Sequence, residues 1–554
     1  MISPDTTTSA SPTADAMAAT SGRSTVGCLT LSWVGKDRAL IGTPDGGYAW
    51  VPRDDPRVTE VRLLQERSSV GEVGDTSAPT TDNQLITGDS YDALHALTRI
   101  PEYASEYRGR VKLVYIDPPF NTGQAFDHYD DALEHSVWLT MMRDRLLLIR
   151  DLLAPDGSVW VHLDDAEMAY CPVLMDEVFG RANFIATVIW EKVYSPKNSA
   201  RHLSVDHDYV LVYARDAEVW RPQPLPRTPE MDAAYRNPDE DVRGVWKPGD
   251  LVANKSYRLG VYPVTTPSGR VIPGPPPGRY WRVSEGRLRE LDQDGRIWWG
   301  ERSDNIPALK RFLSEVRGRV PQTLWPYAEV GHNQSGKNEI QALFKGMIPF
   351  STPKPERLLQ RVIHIATNPG DIVLDCFGGS GTTAAVAHKM GRRWVTVELS
   401  PETVETFTRP RLEKVVNGAD PGGVTEATAW SGGGGFRHVE VGPSLYDIAD
   451  GHVFLAAWAT GSALSRAIAA QLGFTTECDP PFAGARGRER LAVIDGVVDD
   501  AVVRAVVARL GDGERTVVVG KAATPEAGVL LEELSPGSRL RKAPRDLLHR
   551  GVVR

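Results

Sequence analysis

The stretch Asp117-Pro118-Pro119-Phe120 combines a carboxylate, two prolines and an aromatic ring. The apolar run at 113–116 predicts a buried strand that ends at Asp117, because prolines cannot donate to a sheet ladder. The turn therefore offers a carboxylate and main-chain carbonyls as acceptors, whereas its prolines supply no amide donors. With the flat face of Phe120 beside them, these acceptors suit an exocyclic amino group on a planar base.

The tetrapeptide alone is weak evidence for such a site, because the same four residue types recur at Asp479–Phe482. The segment before this second copy, 474–478, is short and interrupted by a charge, so it makes a poor buried strand. We expect a surface turn there. A plain strand-to-loop turn is an equally good interpretation of the first copy by itself, and a second motif must decide between the two.

That second motif lies in the stretch Asp371–Ala385, where an apolar strand enters a glycine-rich turn and a helix follows. Glycines allow positive φ and let a ligand lie against the backbone. Turns of this kind at the carboxyl edge of a sheet form nucleotide sites. The next strand, 394–398, ends at Glu398, about 20 residues after the glycines, where a carboxylate can hold ribose hydroxyls. The G-x-G-x-x-G pattern of dehydrogenases and the G-K-[ST] ending of phosphate loops are both missing from this stretch, and a dinucleotide site of another kind stays the alternative.

Asp117–Phe120 resembles the catalytic motif of the amino-group DNA methyltransferases, in the form typical of adenine-N6 enzymes. Phe377-Gly378-Gly379-Ser380-Gly381 resembles the F-x-G-x-G signature with which that family binds S-adenosylmethionine. The catalytic motif precedes the cofactor motif, which is the order of the family's β group. The resemblance implies an α/β fold, a Rossmann-like methyltransferase sheet with an inserted irregular recognition domain. Beyond the family motifs, the segments 491–494, 500–510, 515–519 and 525–534 have the pattern strand, helix, strand and helix, which predicts a small C-terminal α/β domain.

The resemblance also implies roles for individual residues. The expected catalytic residues are Asp117, Pro118, Pro119 and Phe120. The expected cofactor-binding residues are Asp89, Lys354, Pro355, Asp375, Phe377, Gly379, Gly381, Thr382 and Glu398. For Asp89, capping of the helix that follows the Gly88-Asp89-Ser90 turn explains the residue equally well, and for Lys354 the alternative is a surface lysine.

Two further stretches, Trp190–Lys197 and Val205–Ala214, look like the modification subunits of type III restriction–modification systems. This likeness implies methyl transfer to adenine N6 in double-stranded DNA, a homodimer, and a separate restriction (helicase–nuclease) subunit. The alternatives are cytosine-N4 methylation, a stand-alone enzyme, an RNA or protein-glutamine methyltransferase, and a DNA-binding specificity subunit with little activity alone. The chemistry needs no covalent intermediate, so no catalytic cysteine is expected.

The composition limits the cellular compartment and the kinds of site that we expect. The four cysteines are scattered without a CxxC pair, which fits a reducing cytoplasm and disfavours disulfides or zinc. His162, Asp164 and Asp165 have a spacing that suits no common ligand set, so no metal is expected. No apolar run approaches the length of a membrane span.

The net charge of −9 is unexpected for a DNA-binding protein, but the charges are unevenly distributed. Between Lys255 and Arg319 there are 13 Lys and Arg residues against 7 Asp and Glu residues, interleaved with aromatic rings. Cations of this kind neutralise phosphates. The region is predicted to recognise the DNA target, and a solvated irregular insertion is the alternative.

The 554 residues are enough for two to four domains. The predicted divisions are a disordered tail (1–30), a small β unit (31–75), the catalytic half of the methyltransferase domain (76–215), a target-recognition domain (216–345), the cofactor half (346–430), and a C-terminal α/β docking or dimerisation domain (436–554).

Overall fold

The computed structural model describes residues 29–43, 48–74, 81–121, 125–126, 129–130, 134–196, 198–450 and 452–548. The predicted disordered tail, 1–30, therefore lies outside the described residues except for Leu29 and Thr30. No helix within the described ranges is both long enough and apolar enough to cross a bilayer.

A ten-stranded sheet forms the centre of the molecule. Its strands lie in the order Leu324–Trp325, Phe184–Glu191, His207–Ala214, Leu153–Leu163, Val111–Ile116, Ile372–Asp375, Arg393–Glu398, Gln84–Thr87, Gly435–Val441 and Leu64–Gly71. The six strands from Leu153–Leu163 to Gly435–Val441 run parallel to one another. Parallel strands are usually covered on both faces and rich in apolar residues, which matches the fully buried side chains of Leu113, Val114 and Leu374.

Helices cover both faces of this sheet. One apolar core lies beneath Ser90–Arg99, His135–Leu152 and Cys171–Phe179. A second core, on the opposite face, lies beneath Glu356–Ala366, Thr382–Lys389 and Arg409–Val416. The predicted α/β class with a Rossmann-like sheet is confirmed.

The segment between the outer strands of the sheet forms a small domain of its own. Trp246–Asp250, Ala308–Phe312 and Ile297–Trp298 make a three-stranded sheet beside the helix Glu285–Gln293. Its apolar core contains Trp281, Trp299, Leu288 and Leu291 among others. The region is therefore less irregular than its composition suggested.

The stretch 263–279 differs from the loop or polyproline segment that its prolines predict. Val264–Thr265 pairs with Val271–Ile272 in a short antiparallel hairpin. Gly269, at φ +88°, lets the chain reverse before the proline cluster at 273–277. The proline-rich part is thus confined to the residues after the hairpin.

The C-terminal region forms a five-stranded sheet. Its strands are Thr475–Asp479, Phe482–Arg486, Glu489–Val498, Arg515–Ala523 and Arg539–Lys542, with helices Gly461–Leu472, Asp500–Val507 and Ala527–Leu534. The predicted order of strand, helix, strand and helix between 491 and 534 is confirmed. The second copy of the tetrapeptide forms the hairpin turn between the first two strands, as expected.

Two strands lie outside the domains predicted for them. Leu64–Gly71, placed by the sequence in the small β unit (31–75), and Gly435–Val441, placed at the start of the C-terminal domain, pair at one edge of the central sheet. The side chain of Asn83 helps to fix them, because it donates to the main chain of Gly435 (2.9 Å) and accepts from that of Trp394 (2.8 Å). These domain limits were wrong, since the pairing joins segments far apart in sequence.

A candidate active site at the carboxyl edge of the central sheet

The two sequence motifs follow neighbouring strands. Val111–Ile116 and Ile372–Asp375 are adjacent and parallel, so the residues after them emerge at the same edge of the sheet. A pocket lies between the two turns. Its described lining residues are Tyr115, Asp117, Phe350, Thr352, Pro353, Lys354, Leu359, Asp375, Phe377, Gly378, Gly379, Ser380, Thr382 and Thr383.

Asp117 is the carboxylate that faces this pocket. Its Oδ2 accepts a hydrogen bond from the ammonium of Lys354, and the two form an ion pair. Its Oδ1 is buried and has no hydrogen-bond partner among the described residues. A buried acceptor without a donor is costly, so the carboxylate is suited to receive N–H groups from a ligand.

The backbone after Asp117 is held by a residue that sequence reasoning missed. The indole Nε1 of Trp138, on the helix His135–Leu152, donates to the carbonyl of Pro119 at 2.6 Å. Trp138 is fully buried, so its ring cannot move without disturbing the core. The sequence shows an aromatic residue on a helix, but nothing in it links that residue to the turn.

Phe120 rests on a second residue that was missed. The imidazole of His162 stacks beneath it, with ring centroids 5.8 Å apart and planes 18° from parallel. His162 also contacts the hydroxyl of Tyr115 at 2.8 Å and Asp208 at 3.2 Å. Burial opposes ionisation of Asp208, but the hydrogen bond from His162 and the charge of Lys192 outweigh it and lower the pKa of Asp208 to about 2. This buried chain fixes the plane of Phe120.

The glycine-rich turn is tightly packed against its neighbour strand. A Cβ atom on Gly378 would lie 2.6 Å from the Oγ1 of Thr396, and Gly378 donates to the carbonyl of Val397 at 2.8 Å. Gly379 and Gly381 have φ of +49° and +77°, which L side chains rarely adopt. Gly378, which the sequence did not single out, is thus as constrained as the two predicted glycines.

Carboxylates surround this turn. The Oε2 of Glu398 accepts from the amide of Gly379 at 2.8 Å and its Oε1 from the amide of Ser400 at 2.9 Å. Burial raises the pKa of Asp375 to about 7, although the amide of Phe377 donates to it at 3.0 Å. The carboxyl groups of Asp117 and Asp375 thus both line the pocket, and that of Asp375 is only partly ionised near pH 7.

Thr382, at the start of the helix after the glycines, accepts a hydrogen bond from the guanidinium of Arg411 at 2.7 Å. Arg411 is fully buried and pairs with Glu356 at 2.8 Å. Glu356 in turn pairs with Lys389, also at 2.8 Å. These buried ion pairs thus hold the start of the helix that follows the glycine turn, which fixes the geometry of the turn.

Six of the predicted residues line the pocket, namely Asp117, Lys354, Asp375, Phe377, Gly379 and Thr382. The others, Pro118, Pro119, Phe120, Asp89, Pro355, Gly381 and Glu398, are not among the lining residues. Asp89 caps its helix by accepting from the amide of Tyr91 at 2.7 Å and pairs with Arg145 at 2.9 Å. Capping therefore accounts for Asp89 without a ligand.

A family model described as DNA methylase matches residues 111–409, which includes both motifs and the domain between them. The chain belongs to this DNA methylase family. The resemblance drawn from the two motifs is thereby confirmed, and the alternative of a different dinucleotide site is excluded.

Several curated relatives are similar over part of their length. The type III restriction-modification enzyme StyLTI Mod subunit of Salmonella typhimurium is 32% identical over 334 residues, which cover 54% of this chain and 49% of that protein. The "Probable type III restriction-modification enzyme HindVI Mod subunit" of Haemophilus influenzae is 29% identical over 440 residues, covering 68% and 56%. The type II methyltransferase M.EcaI of Enterobacter cloacae is 30% identical over 309 residues, covering 54% and 64%. The match thus spans about half the length of the first two relatives.

Proposed function

We propose that the protein transfers a methyl group from S-adenosylmethionine to the N6 amino group of adenine in double-stranded DNA. We further propose that it is the modification subunit of a type III restriction–modification or related phage-defence system. The observation that carries the proposal is Asp117, whose buried Oδ1 has no hydrogen-bond partner among the described residues and which shares one pocket with the glycine-rich turn.

The residues around the glycine turn fit the cofactor chemically. The positive φ of Gly379 and Gly381 leaves the backbone bare where a nucleoside can lie. Glu398 is placed beside this turn, where a carboxylate can accept from ribose hydroxyls. Asp117 and Asp375 line the same pocket as this turn. S-adenosylmethionine, when bound, supplies a methyl group on a positively charged sulfur.

The chain's own residues prepare the acceptor. A flipped adenine leaves the duplex at a cost of a few kcal/mol. Asp117 and the carbonyl of Pro118 accept its two N6 hydrogens, which keeps the nitrogen lone pair out of conjugation with the ring. Phe120, supported by His162, stacks on the base. The rate enhancement then comes from alignment of the reacting groups and from hydrogen-bond acceptors placed where positive charge develops on the amino nitrogen.

The inserted domain is proposed to recognise the DNA target. Between residues 255 and 319 it carries eight exposed basic side chains for which the described part of the chain provides no acidic partner within salt-bridge distance: Lys255, Arg258, Arg270, Arg279, Arg282, Arg302, Arg311 and Arg317. Other arginines there are already neutralised, such as Arg296 by Glu315 at 2.6 Å. The unpaired cations can contact phosphates.

Asp117→Ala tests the catalytic assignment, and the chain supplies its own control. We expect this variant to lose methylation but still to bind the cofactor, because the carboxylate contacts the base. Asp479→Ala, in the second copy of the tetrapeptide, changes an exposed hairpin turn and leaves methylation intact. Labelled methyl transfer and calorimetric binding measure the two quantities. Normal turnover in Asp117→Ala rejects the assignment.

Sequencing of methylated bases in cells with and without the gene tests the substrate. N6-methyladenine at one recurring sequence, present only with the gene, is the expected result. N4-methylcytosine in its place would correct the base, and unchanged DNA would reject the function. The same cells, grown with and without a neighbouring helicase–nuclease gene, test the type III assignment by phage restriction.

The C-terminal domain is proposed to serve docking or dimerisation, which gives the homodimer a structural basis. A chain ending at residue 442 keeps all ten strands of the central sheet. We expect it to bind cofactor but to be monomeric by light scattering, while the full chain is a dimer. If the truncated and the full-length chain have the same oligomeric state, whether monomer or dimer, the C-terminal domain does not serve dimerisation.

A further inference from the structure

Lys354 occupies an unusual position between two sites. Its side chain is 10% exposed and its ammonium pairs with the Oδ2 of Asp117. The same nitrogen lies 5.1 Å from the centroid of the Phe120 ring. The ammonium thus contacts both groups that are proposed to receive the target base. They are the carboxylate that accepts from its amino group and the ring that stacks on it.

The main chain of Lys354 is fixed, but its side chain is long. Gly336, on the helix Asn333–Leu343, lies so close that a Cβ there would be 2.3 Å from the carbonyl of Pro353 and 3.0 Å from the carbonyl carbon of Lys354. The lysine stem has four rotatable carbons. Its ammonium can therefore turn within the pocket, whose lining also includes the glycine turn, without any movement of the backbone.

We propose that the Lys354 ammonium holds the place of the target amino group until a cofactor carboxylate draws it away, so that the cofactor must bind before the base. This rests on the proposed function. The amino-acid end of S-adenosylmethionine carries such a carboxylate, which competes with Asp117 for the single lysine. Once Lys354 has turned to the cofactor, its ammonium no longer occupies the space between Asp117 and the face of Phe120, and the base can enter there. Without a cofactor, the pocket is closed to adenine, and the enzyme does not capture a base that it cannot methylate.

Two nucleosides distinguish displacement of Lys354 by a carboxylate from an effect of merely filling the cofactor pocket. S-adenosylhomocysteine carries the amino-acid carboxylate, whereas 5′-methylthioadenosine has the same nucleoside and lacks it. A duplex with 2-aminopurine at the methylated position reports capture of the base by a rise in fluorescence. We expect the wild-type protein to give this rise with S-adenosylhomocysteine and not with saturating 5′-methylthioadenosine.

Lys354→Met keeps the apolar stem and removes the charge. This variant should raise the fluorescence without any nucleoside, and should bind the duplex at least tenfold more tightly than the wild type does under the same conditions. Lys414→Met, at a half-buried lysine on the helix Arg409–Val416 that does not line the pocket, is the control and should behave as the wild type. If 5′-methylthioadenosine opens the site as well as S-adenosylhomocysteine does, or if Lys354→Met still needs a nucleoside, the order of binding proposed here is wrong.

Crystal structures of the wild-type protein with each nucleoside give a readout that needs neither a variant nor a known target sequence. Lys354 should contact the carboxylate of S-adenosylhomocysteine and stay on Asp117 in the 5′-methylthioadenosine complex. A lysine that stays on Asp117 in both complexes overturns the inference. Labelled methyl transfer to the unmodified duplex is measured in parallel. Methyl transfer by a protein whose Lys354 stays on Asp117 supports the proposed function and rejects only the role of Lys354.

Discussion

The hydrogen bond from Trp138 to Pro119 makes a quantitative prediction. Trp138→Phe keeps a buried aromatic ring but removes the indole N–H that reaches the carbonyl at 2.6 Å. A buried acceptor left without its donor costs about 1–3 kcal/mol, and this carbonyl is partly buried, so we expect the lower half of that range in the free energy of unfolding.

The effect on turnover should exceed a simple loss of stability. Pro119 lies two residues after Asp117, and a shift of about 1 Å in a positioning group can cost on the order of 100-fold in rate. We therefore expect kcat for methyl transfer to fall by roughly 10- to 100-fold, equivalent to about 1.4–2.7 kcal/mol. Cofactor affinity should change less than about twofold by the same reasoning, because Trp138 is not among the residues that line the pocket.

Trp325→Phe is a matched control. Trp325 is also buried and also donates its indole N–H to a main-chain carbonyl, that of Gln322 at 2.7 Å. It lies on the outermost strand, four places from Val111–Ile116 in the sheet order. Urea unfolding and single-turnover methylation of both variants decide the matter. If both variants lose the same amount of kcat, or if Trp138→Phe loses none, the hydrogen bond does not position the turn.

Two further predictions concern the glycine turn. Because the pKa of Asp375 is raised to about 7 from 3.8, the folded state holds a proton that the unfolded state releases, so the stability it contributes is complete below about pH 4 and is lost as pH rises through 7. Asp375→Asn should therefore reduce the loss in unfolding free energy between pH 5 and pH 8 by about 3 kcal/mol in urea titrations, and an unchanged pH profile would contradict this. Gly378→Ala should cost about 1–3 kcal/mol by overpacking against Thr396 and weaken S-adenosylhomocysteine binding in calorimetry. Gly286→Ala, where an added Cβ meets nothing within 4 Å, is its control, and equal effects in the two variants would exclude overpacking.

The sequence located both motifs because each ends a buried parallel strand, and such strands have a recognisable apolar pattern. The resemblance also implied that the two motifs serve one site, one as the catalytic motif and the other as the cofactor motif. Adjacency of Val111–Ile116 and Ile372–Asp375 itself is a property of the folded sheet. No local pattern encodes which strands become neighbours.

The residues that support the site could not be found in this way. Trp138 and His162 act through contacts that join a helix and a strand to the turn, and the sequence gives no sign of these contacts. The domain limits failed for the same reason, since Leu64–Gly71 pairs with Gly435–Val441 across most of the chain. Local pattern predicted what each segment forms, while long-range pairing decided where it belongs.

The inserted domain has an apolar core of its own, and its chain leaves and rejoins the central sheet at the outer strands His207–Ala214 and Leu324–Trp325. Its side chains can therefore diverge, or the whole unit can be replaced by another, without altering how Asp117 faces the glycine turn. Under the proposed function, a lineage could acquire a new DNA target by exchanging one cassette, and its methylation chemistry would be inherited unchanged.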